Sequence, residues 1–282
     1  MAELYRTTGA GNDFLALVEP AANPSAGTIR AWCRRGVSLG ADGVFVVRRE
    51  RSGGEGMTAV AMDYWNADGG EAALCVNATR CAAQLAFHLG WTAERVTVRT
   101  GAGPFAARRR GDDVIELELA PPSDEPRALG FTDQHGGWAM TVGVPHAIIR
   151  WNDDLATCPV DDLGQRVRRL PCFGAAGANA NFVRFPSAHE LEIRTFERGV
   201  EAETLACGSG VLAAVAVGVA TGVLELPVRG LTKGGFVLVV DGETAADGRH
   251  IARWTMAGDA RILARLQTCE AAEQPLPEPA WS

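Results

Sequence analysis

Hydrophobic positions along this chain follow two patterns. Phe14–Val18 and Val44–Val47 are short β-rich runs, Thr58–Trp65 alternates apolar with polar, and Arg95–Arg99 and Val114–Leu119 read as further strands. Between them, helical spacing begins at Cys75, runs through Arg80, Ala83 and Phe87, and stops at Gly90. The segment Pro121-Pro122-Ser123-Asp124-Glu125-Pro126 breaks the pattern in the way that joins domains. The plan then repeats. Strands are predicted near Ala139–Val142, Ala147–Trp151, Asn181–Phe185 and Glu190–Thr195, then a helix from Cys207 to about Ala220. Phe236–Val240, Arg253–Met256 and Ala260–Leu266 close the set of strands, and a tail rich in Glu and Pro follows from Glu270. The run Val211–Val223 is too short to span a bilayer and is interrupted by Gly218 and Gly222, so it predicts a buried helix. Each half thus places a strand-rich layer around one apolar helix, and each helix starts at a cysteine.

Composition narrows the class. The chain has 282 residues, 47% apolar and 22% charged, which suits a globular protein of one large or two ordinary domains. Its net charge of −7 argues against a nucleic-acid surface. The basic run Arg108-Arg109-Arg110, followed by Gly111-Asp112-Asp113, reads as a solvated turn. Seven cysteines without disulfide-scaffold spacing point to a reducing, cytoplasmic setting, and no signal or membrane-spanning pattern is present. Of 27 basic residues only Lys233 is a lysine, and it sits in a strand-to-strand turn without a phosphate-binding glycine loop. Pyridoxal chemistry, which needs a lysine Schiff base, is therefore not expected. Cys33, Cys81, Cys158, Cys172 and Cys269 have no ligand-like spacing with histidines, so no metal is expected either.

The two helix-starting cysteines carry the chemistry. Cys75 lies in GlyGluAlaAlaLeuCysValAsnAla and Cys207 in GluAlaGluThrLeuAlaCysGlySerGly, each four residues after a glutamate, Glu71 and Glu203. A sulfur at the first turn of a helix meets unpaired N–H groups and the helix dipole, which lower a thiol's pKa. Two such sulfurs, one from each half of the chain, suggest a pair of acid–base groups facing each other across a shared substrate.

The motifs around these cysteines resemble the diaminopimelate epimerase family, whose members invert an amino acid's α-carbon without a cofactor. ThrGlyAlaGlyAsnAspPhe at 8–14 is similar to the family's N-terminal signature and GlyAlaAspGly at 40–43 to its next one. AsnAlaAspGlyGlyGluAlaAlaLeuCys at 66–75 and GluArgGlyValGluAlaGluThrLeuAlaCysGlySerGly at 197–210 resemble the approaches to its two catalytic cysteines. Asn179, Asn181-Phe182-Val183 and Gly234-Gly235 also fit, and the likeness covers nearly the whole chain. The resemblance implies an α+β fold of two pseudo-symmetric domains, each a mostly antiparallel sheet or barrel wrapped around a central helix. Their expected bounds are residues 1–121 and 122–267, with the tail 268–282 returning to the first and the active site in the cleft between them. It implies Cys75 and Cys207 as catalytic groups, His146 and Glu197 as groups that tune their pKa values, and a homodimer with an amino acid as substrate. A histidinium at His146 would favour a thiolate, and a carboxylate at Glu197 a thiol. Asn12, Asn66, Val76, Asn77, Asn179, Glu197, Arg198, Gly208 and Ser209 match substrate-binding positions, Arg198 by a bidentate grip on a carboxylate.

The chain departs from the family around the pocket. The usual CysGlyAsnGly is Cys75-Val76-Asn77-Ala78, and the usual GlyAsnProHis is Gly143-Val144-Pro145-His146. Gly43 stands where some members carry glutamine. Losing a buried hydrogen-bonding group costs about 1–3 kcal/mol toward the group it served. Two substrates therefore stay open: diaminopimelate, or another amino acid such as O-ureidoserine or histidine. A thiol redox protein lacks its usual CysXaaXaaCys here, and a non-catalytic binding module would not need both cysteines.

Overall fold

The computed structural model describes residues 2–50, 58–122, 124–130 and 136–273. The fold is a sheet-dominated α+β arrangement with few helices. It divides into two compact units, residues 1–117 with 259–282 and residues 118–258.

The first unit contains β1 (Glu3–Gly9), β2 (Asn12–Val18), α1 (Ala26–Cys33), β3 (Gly43–Glu50), β4 (Ala59–Asn66), α2 (Val76–His88), β5 (Arg95–Thr100), β6 (Gly103–Arg109) and most of β7 (Val114–Leu119). The second contains β8 (Arg127–Leu129), β9 (Gly137–Val142), β10 (Val144–Arg150), α3 (Val160–Arg168), β11 (Asn179–Ser187), β12 (Glu190–Glu197), β13 (Ala202–Thr204), α4 (Gly208–Ala220), β14 (Val228–Thr232), β15 (Val237–Thr244) and nearly all of β16 (Ile251–Asp259). The chain then returns to the first unit with β17 (Arg261–Gln267) and α5 (Glu270–Glu273). That return comes earlier than the sequence reading placed it. β17 pairs antiparallel with β1, from Glu3 opposite Gln267 to Thr8 opposite Arg261, so its hydrogen bonds bind it to the first unit rather than to residues 122–267.

Hydrogen bonding orders the first unit β17-β1-β2-β3-β4-β5-β6-β7, with parallel pairs only at β2–β3 and β4–β5. It orders the second β8-β9-β10-β11-β12-β14-β15-β16, with parallel pairs at β10–β11 and β12–β14. The succession of parallel and antiparallel neighbours is the same in both.

In the first unit, α2 packs against β1 to β6 and β17, and α1 covers β3. The strands between are buried on both faces. Leu15, Leu17, Val44 and Val46 join Ile29 and Trp32 of α1, while Phe14, Phe45 and Tyr64 form an aromatic group of their own. This explains why β2 and β3 read as continuous apolar runs rather than as alternation. In the second unit α4 packs against β9 to β12 and β15, and α3 lies on β11 and β12. α4 is buried along nearly its whole length, as its all-round apolar sequence requires.

Both long helices start and stop where the sequence places them, with Cys75 and Cys207 at the N-cap in extended backbone (φ −136° and −122°). α1 and α3 were not predicted. α1 is eight residues long, begins at a Ser25 cap, and buries Ile29, Trp32 and Cys33. The turn at Arg110 is solvated as expected, with Arg108 paired to Glu94 and Arg110 to Glu116. No helix among the described residues is long and apolar enough to cross a membrane. The end of the Glu- and Pro-rich tail lies outside the described residues.

Candidate active site

Local chain geometry explains why the cysteines sit where they do. Both sulfurs stand at a helix N-cap in extended backbone, and at Cys207 the first turn of α4 brings Ser209 Oγ to 3.6 Å from the sulfur. At Cys75 the carbonyl does the local work, accepting from Thr79 N (2.8 Å) and Thr79 Oγ1 (2.9 Å).

Around Cys75 the side chains form a chain of oriented amides. Arg80, fully buried on α2, donates to Asn77 Oδ1 (2.6 Å). Asn77 Nδ2 donates to Asn12 Oδ1 (2.7 Å), and Asn12 Nδ2 to Asp42 Oδ2 (3.1 Å). Asp42 is held by Arg35 (2.7 Å). A guanidinium at one end and a carboxylate at the other dictate which way both amides face. Each amide nitrogen has a second N–H to offer an anionic ligand. Burial pulls the Arg80 pKa below its ordinary value, while Cys81, Asp259 and Cys75 push it up. Arginine stays charged even so, and by reciprocity its charge favours a Cys75 thiolate. Val76 occupies the first position of α2, half-buried, and Asn66 lies exposed at the end of β4, opposite Gly43.

Tyr64 of β4 is a neighbour that the motifs did not indicate. Its ring is buried against Phe14, edge to face at 6.0 Å, and it lies within electrostatic reach of Cys75. Burial first, then Cys75 itself and Asp42, push the phenol well above its usual range, so it stays protonated.

Cys207 lies in a different environment. It is buried, with Asn179 Nδ2 at 3.8 Å from its sulfur and Ser209 Oγ at 3.6 Å. Glu197, at the end of β12, acts on the same sulfur through its charge and accepts a hydrogen bond from Thr204 Oγ1 (2.6 Å). The Cys207 pKa is raised, by burial first and by the Glu197 charge next, against smaller opposing effects from Ser209 and the Gly210 N–H. The sequence reading expected the helix start to lower both thiols. At Cys207 desolvation and a carboxylate outweigh it, so this cysteine is the thiol.

His146 sits beside this group on β10. It is fully buried, with Asn181 Nδ2 at 3.2 Å from Nδ1. Burial lowers its pKa to about 3, the Val142 backbone pulls the other way, and the Arg198 charge lowers it further. His146 is thus a neutral imidazole, and the histidinium expected from sequence does not form. Arg198 is fixed through its backbone, whose N–H donates to Asn179 Oδ1 (2.9 Å). Gly208 opens α4, where its buried backbone is part of the helix N-terminus.

The matching glutamates do not share a role. Glu203 forms a half-buried ion pair with Arg194 (2.6 Å), which also ties down the carbonyls of Leu155 and Cys158. Glu71 is exposed and bridges Trp65 through its backbone. The carboxylate that acts on the Cys207 sulfur is Glu197.

Replacing Glu197 by Gln removes the negative charge but keeps the shape. The Cys207 thiolate then forms at lower pH, because the carboxylate had held its pKa up. Alkylation of Cys207, followed by mass spectrometry across pH, is expected to begin about one pH unit lower in Glu197→Gln than in the parent. An unchanged profile would mean that burial alone sets this thiol.

These groups give the two helix starts different settings, a buried cation acting on one sulfur and a carboxylate on the other. Comparison with known proteins bears on what this chemistry is for. Residues 4–121 and 138–261 match the family model described as diaminopimelate epimerase. A diaminopimelate epimerase of Methanothrix thermoacetophila is 37% identical, covering 83% of this chain and 86% of the relative. One of Gemmatimonas aurantiaca is 33% identical over 92% of this chain and 96% of its own. Among solved structures, a phenazine biosynthesis PhzF-family protein of Enterococcus faecalis shares the fold with a TM-score of 0.68 at 15% identity, covering 93% of this chain and 97% of its own.

Proposed function

We infer the activity from one premise: the chain belongs to the diaminopimelate epimerase family. It is an isomerase, and the reaction we assign is epimerisation of LL-diaminopimelate to the meso form by a thiolate and a thiol, without pyridoxal phosphate. The observation that carries this reading is the opposite setting of the two cysteines. Cys75 interacts with a buried cation, Arg80, and Cys207 with a carboxylate, Glu197. A base and an acid are what inversion requires.

In the forward direction the Cys75 thiolate takes the α-proton. The Cα–H electron pair stays on carbon and spreads into the substrate carboxylate, and Cys207 delivers its S–H proton from the opposite face. The second N–H groups of Asn12 and Asn77, with the N–H groups that open α2 and α4, are suited to the carboxylate as charge grows on it. Arg198 and Asn66 are assigned to the far end of the substrate. The repeated order of parallel and antiparallel strands supports reading the two units as an internal duplication, each a sheet around its own helix.

Val76, Ala78 and Val144 motivated an altered substrate. The relatives, named diaminopimelate epimerase at 37% and 33% identity, favour diaminopimelate instead. Turnover in deuterated water, on LL-diaminopimelate beside histidine and O-ureidoserine, tests the assignment. Label is expected at the α-carbon of diaminopimelate. Exchange confined to another amino acid would move the substrate, and no exchange in fully reduced protein would remove the reaction.

A further inference from the structure

Glu201 holds a backbone conformation that its residue type rarely adopts. It lies in the turn between β12 and β13 at φ +59°, in the left-handed region, and it is not a glycine. Such a residue persists only where its surroundings hold it, and here they do. Its N–H donates to the Glu197 carbonyl (2.8 Å), which closes a turn over residues 197–201. Its carboxylate accepts from the Gly199 N–H (3.0 Å) and from Arg168 Nε, at 2.7 Å to Oε1 and 2.8 Å to Oε2. Arg168 Nη2 lies 2.5 Å from Oε1, so two nitrogens of one guanidinium grip the turn.

Arg168 is itself well placed to hold. It is the last residue of α3, and its side chain is only 16% exposed. α3 lies hard against β12, where a Cβ on Gly164 would overlap the Cβ of Phe196, the residue before Glu197. At the other end of α3, Asp161 Oδ1 accepts from the Glu203 N–H (3.0 Å). One helix thus holds the segment from Glu197 to Glu203 at both ends. Arg168 also reaches the neighbouring strand. Its carbonyl accepts from the Ala178 N–H (3.1 Å), just before Asn179 opens β11, and Asn179 Oδ1 accepts from the Arg198 N–H (2.9 Å). Gly177 makes room for this, since a Cβ there would overlap the Arg168 carbonyl and lie 2.6 Å from Nη1.

We propose that Arg168 and Glu201 are a positioning pair of the epimerase reaction, a clamp from α3 that holds the 197–201 turn so that Arg198 meets the far carboxylate of the substrate. The proposal rests on the epimerase reading above, which assigns Arg198 to that end. Neither residue touches the reacting carbon. The clamp acts on binding: it fixes the Arg198 backbone before the substrate arrives, so less order has to be imposed when the carboxylate is gripped.

The test is Arg168→Met beside Glu201→Gly. Glycine adopts φ +59° without strain, so Glu201→Gly removes the carboxylate at no backbone cost, and its melting temperature should not fall. In each variant KM for LL-diaminopimelate is expected to rise about fivefold with kcat within about twofold of the parent. Arg168→Lys, which keeps the charge and loses the fork, should fall between. The double variant should be no weaker than either single one, because both remove the same interaction. Amide hydrogen exchange followed by NMR reads the turn without substrate. The Gly199 and Glu201 amides should exchange faster in Arg168→Met, while Ala178, held by the Arg168 backbone, stays protected. Glu201→Gly carries the test if Arg168→Met does not fold. An unchanged KM in the folded variants, or losses that simply add in the double variant, would overturn the proposal. If the parent exchanges no α-proton on any amino acid while the turn amides still loosen, the epimerase reading fails and the clamp on the turn stands.

Discussion

Cys75→Ala and Cys207→Ala are each expected to lower epimerisation by at least about a thousandfold, the upper part of the range for loss of one positioned acid or base. The α-proton is far less acidic than a thiol, so no neighbouring group is a ready substitute. Asn77, Asn12 and Asn179 are amides with no proton to exchange at working pH, and His146 is a buried neutral imidazole. The two variants should nevertheless differ. Cys207→Ala keeps the base, so proton removal continues, and an analogue carrying a leaving group next to the α-carbon should still undergo elimination. Cys75→Ala loses the base and should not eliminate from the same enantiomer. Deuterium incorporation and product release, followed by NMR, distinguish them. Full epimerisation by either alanine variant would show that the reaction does not run through this pair.

Gly210→Ala is expected to be the most damaging single-methyl addition at the site. Gly210 lies in the first turn of α4, and a Cβ there would overlap Asn181 Oδ1 and press on the Cys207 Cβ at 3.3 Å. Asn181 cannot yield easily. Its side chain bridges Thr195, His146 and the carbonyl of Ala147, all buried, so displacing it leaves several polar groups unpaired. Overpacking of this kind costs about 1–3 kcal/mol, and a protein of this size should lose several degrees of melting temperature. Activity should fall further than stability, because the shift also moves the Cys207 sulfur and the Gly210 N–H that contacts it. Calorimetry together with kcat checks this. An unchanged melting temperature would mean that α4 slides freely over β11.

The parts of the site legible in sequence are those built from neighbours along the chain. Cys75 and Cys207 were found because a helix start is a local event, set by small residues before an apolar run. Asn12, Asn77 and Asn179 came with the motifs around them, and the structure places each in a hydrogen-bonded group. Tyr64, Arg80, Asn181, Thr204 and Gly210 escaped. Tyr64 reads as one more aromatic in an alternating strand, and Arg80 as one position along the predicted helix. Only the packing of α2 against its strands shows Arg80 to be wholly buried. The short helices α1 and α3 were missed for a related reason, since eight or nine residues carry too little periodicity to stand out from loops. β17 was assigned to the wrong half because strand partners are chosen across the chain, by register with β1, and not by proximity in sequence.

By itself, the order of residues determined the strand and helix plan, the pair of thiols at two helix starts, the absence of a lysine placed for pyridoxal chemistry, and the family likeness. The tertiary structure alone decided how the surroundings of the two sulfurs differ. Both cysteines sit at the same kind of N-cap, with the same dipole and a glutamate four residues before, so local sequence makes them near equals. What separates them is carried in on other strands: a phenol from β4 at Cys75, and a carboxylate from the end of β12 at Cys207. A thiol's charge state depends on the burial and the donors within a few ångströms of sulfur, and folding sets both by bringing together residues distant along the chain.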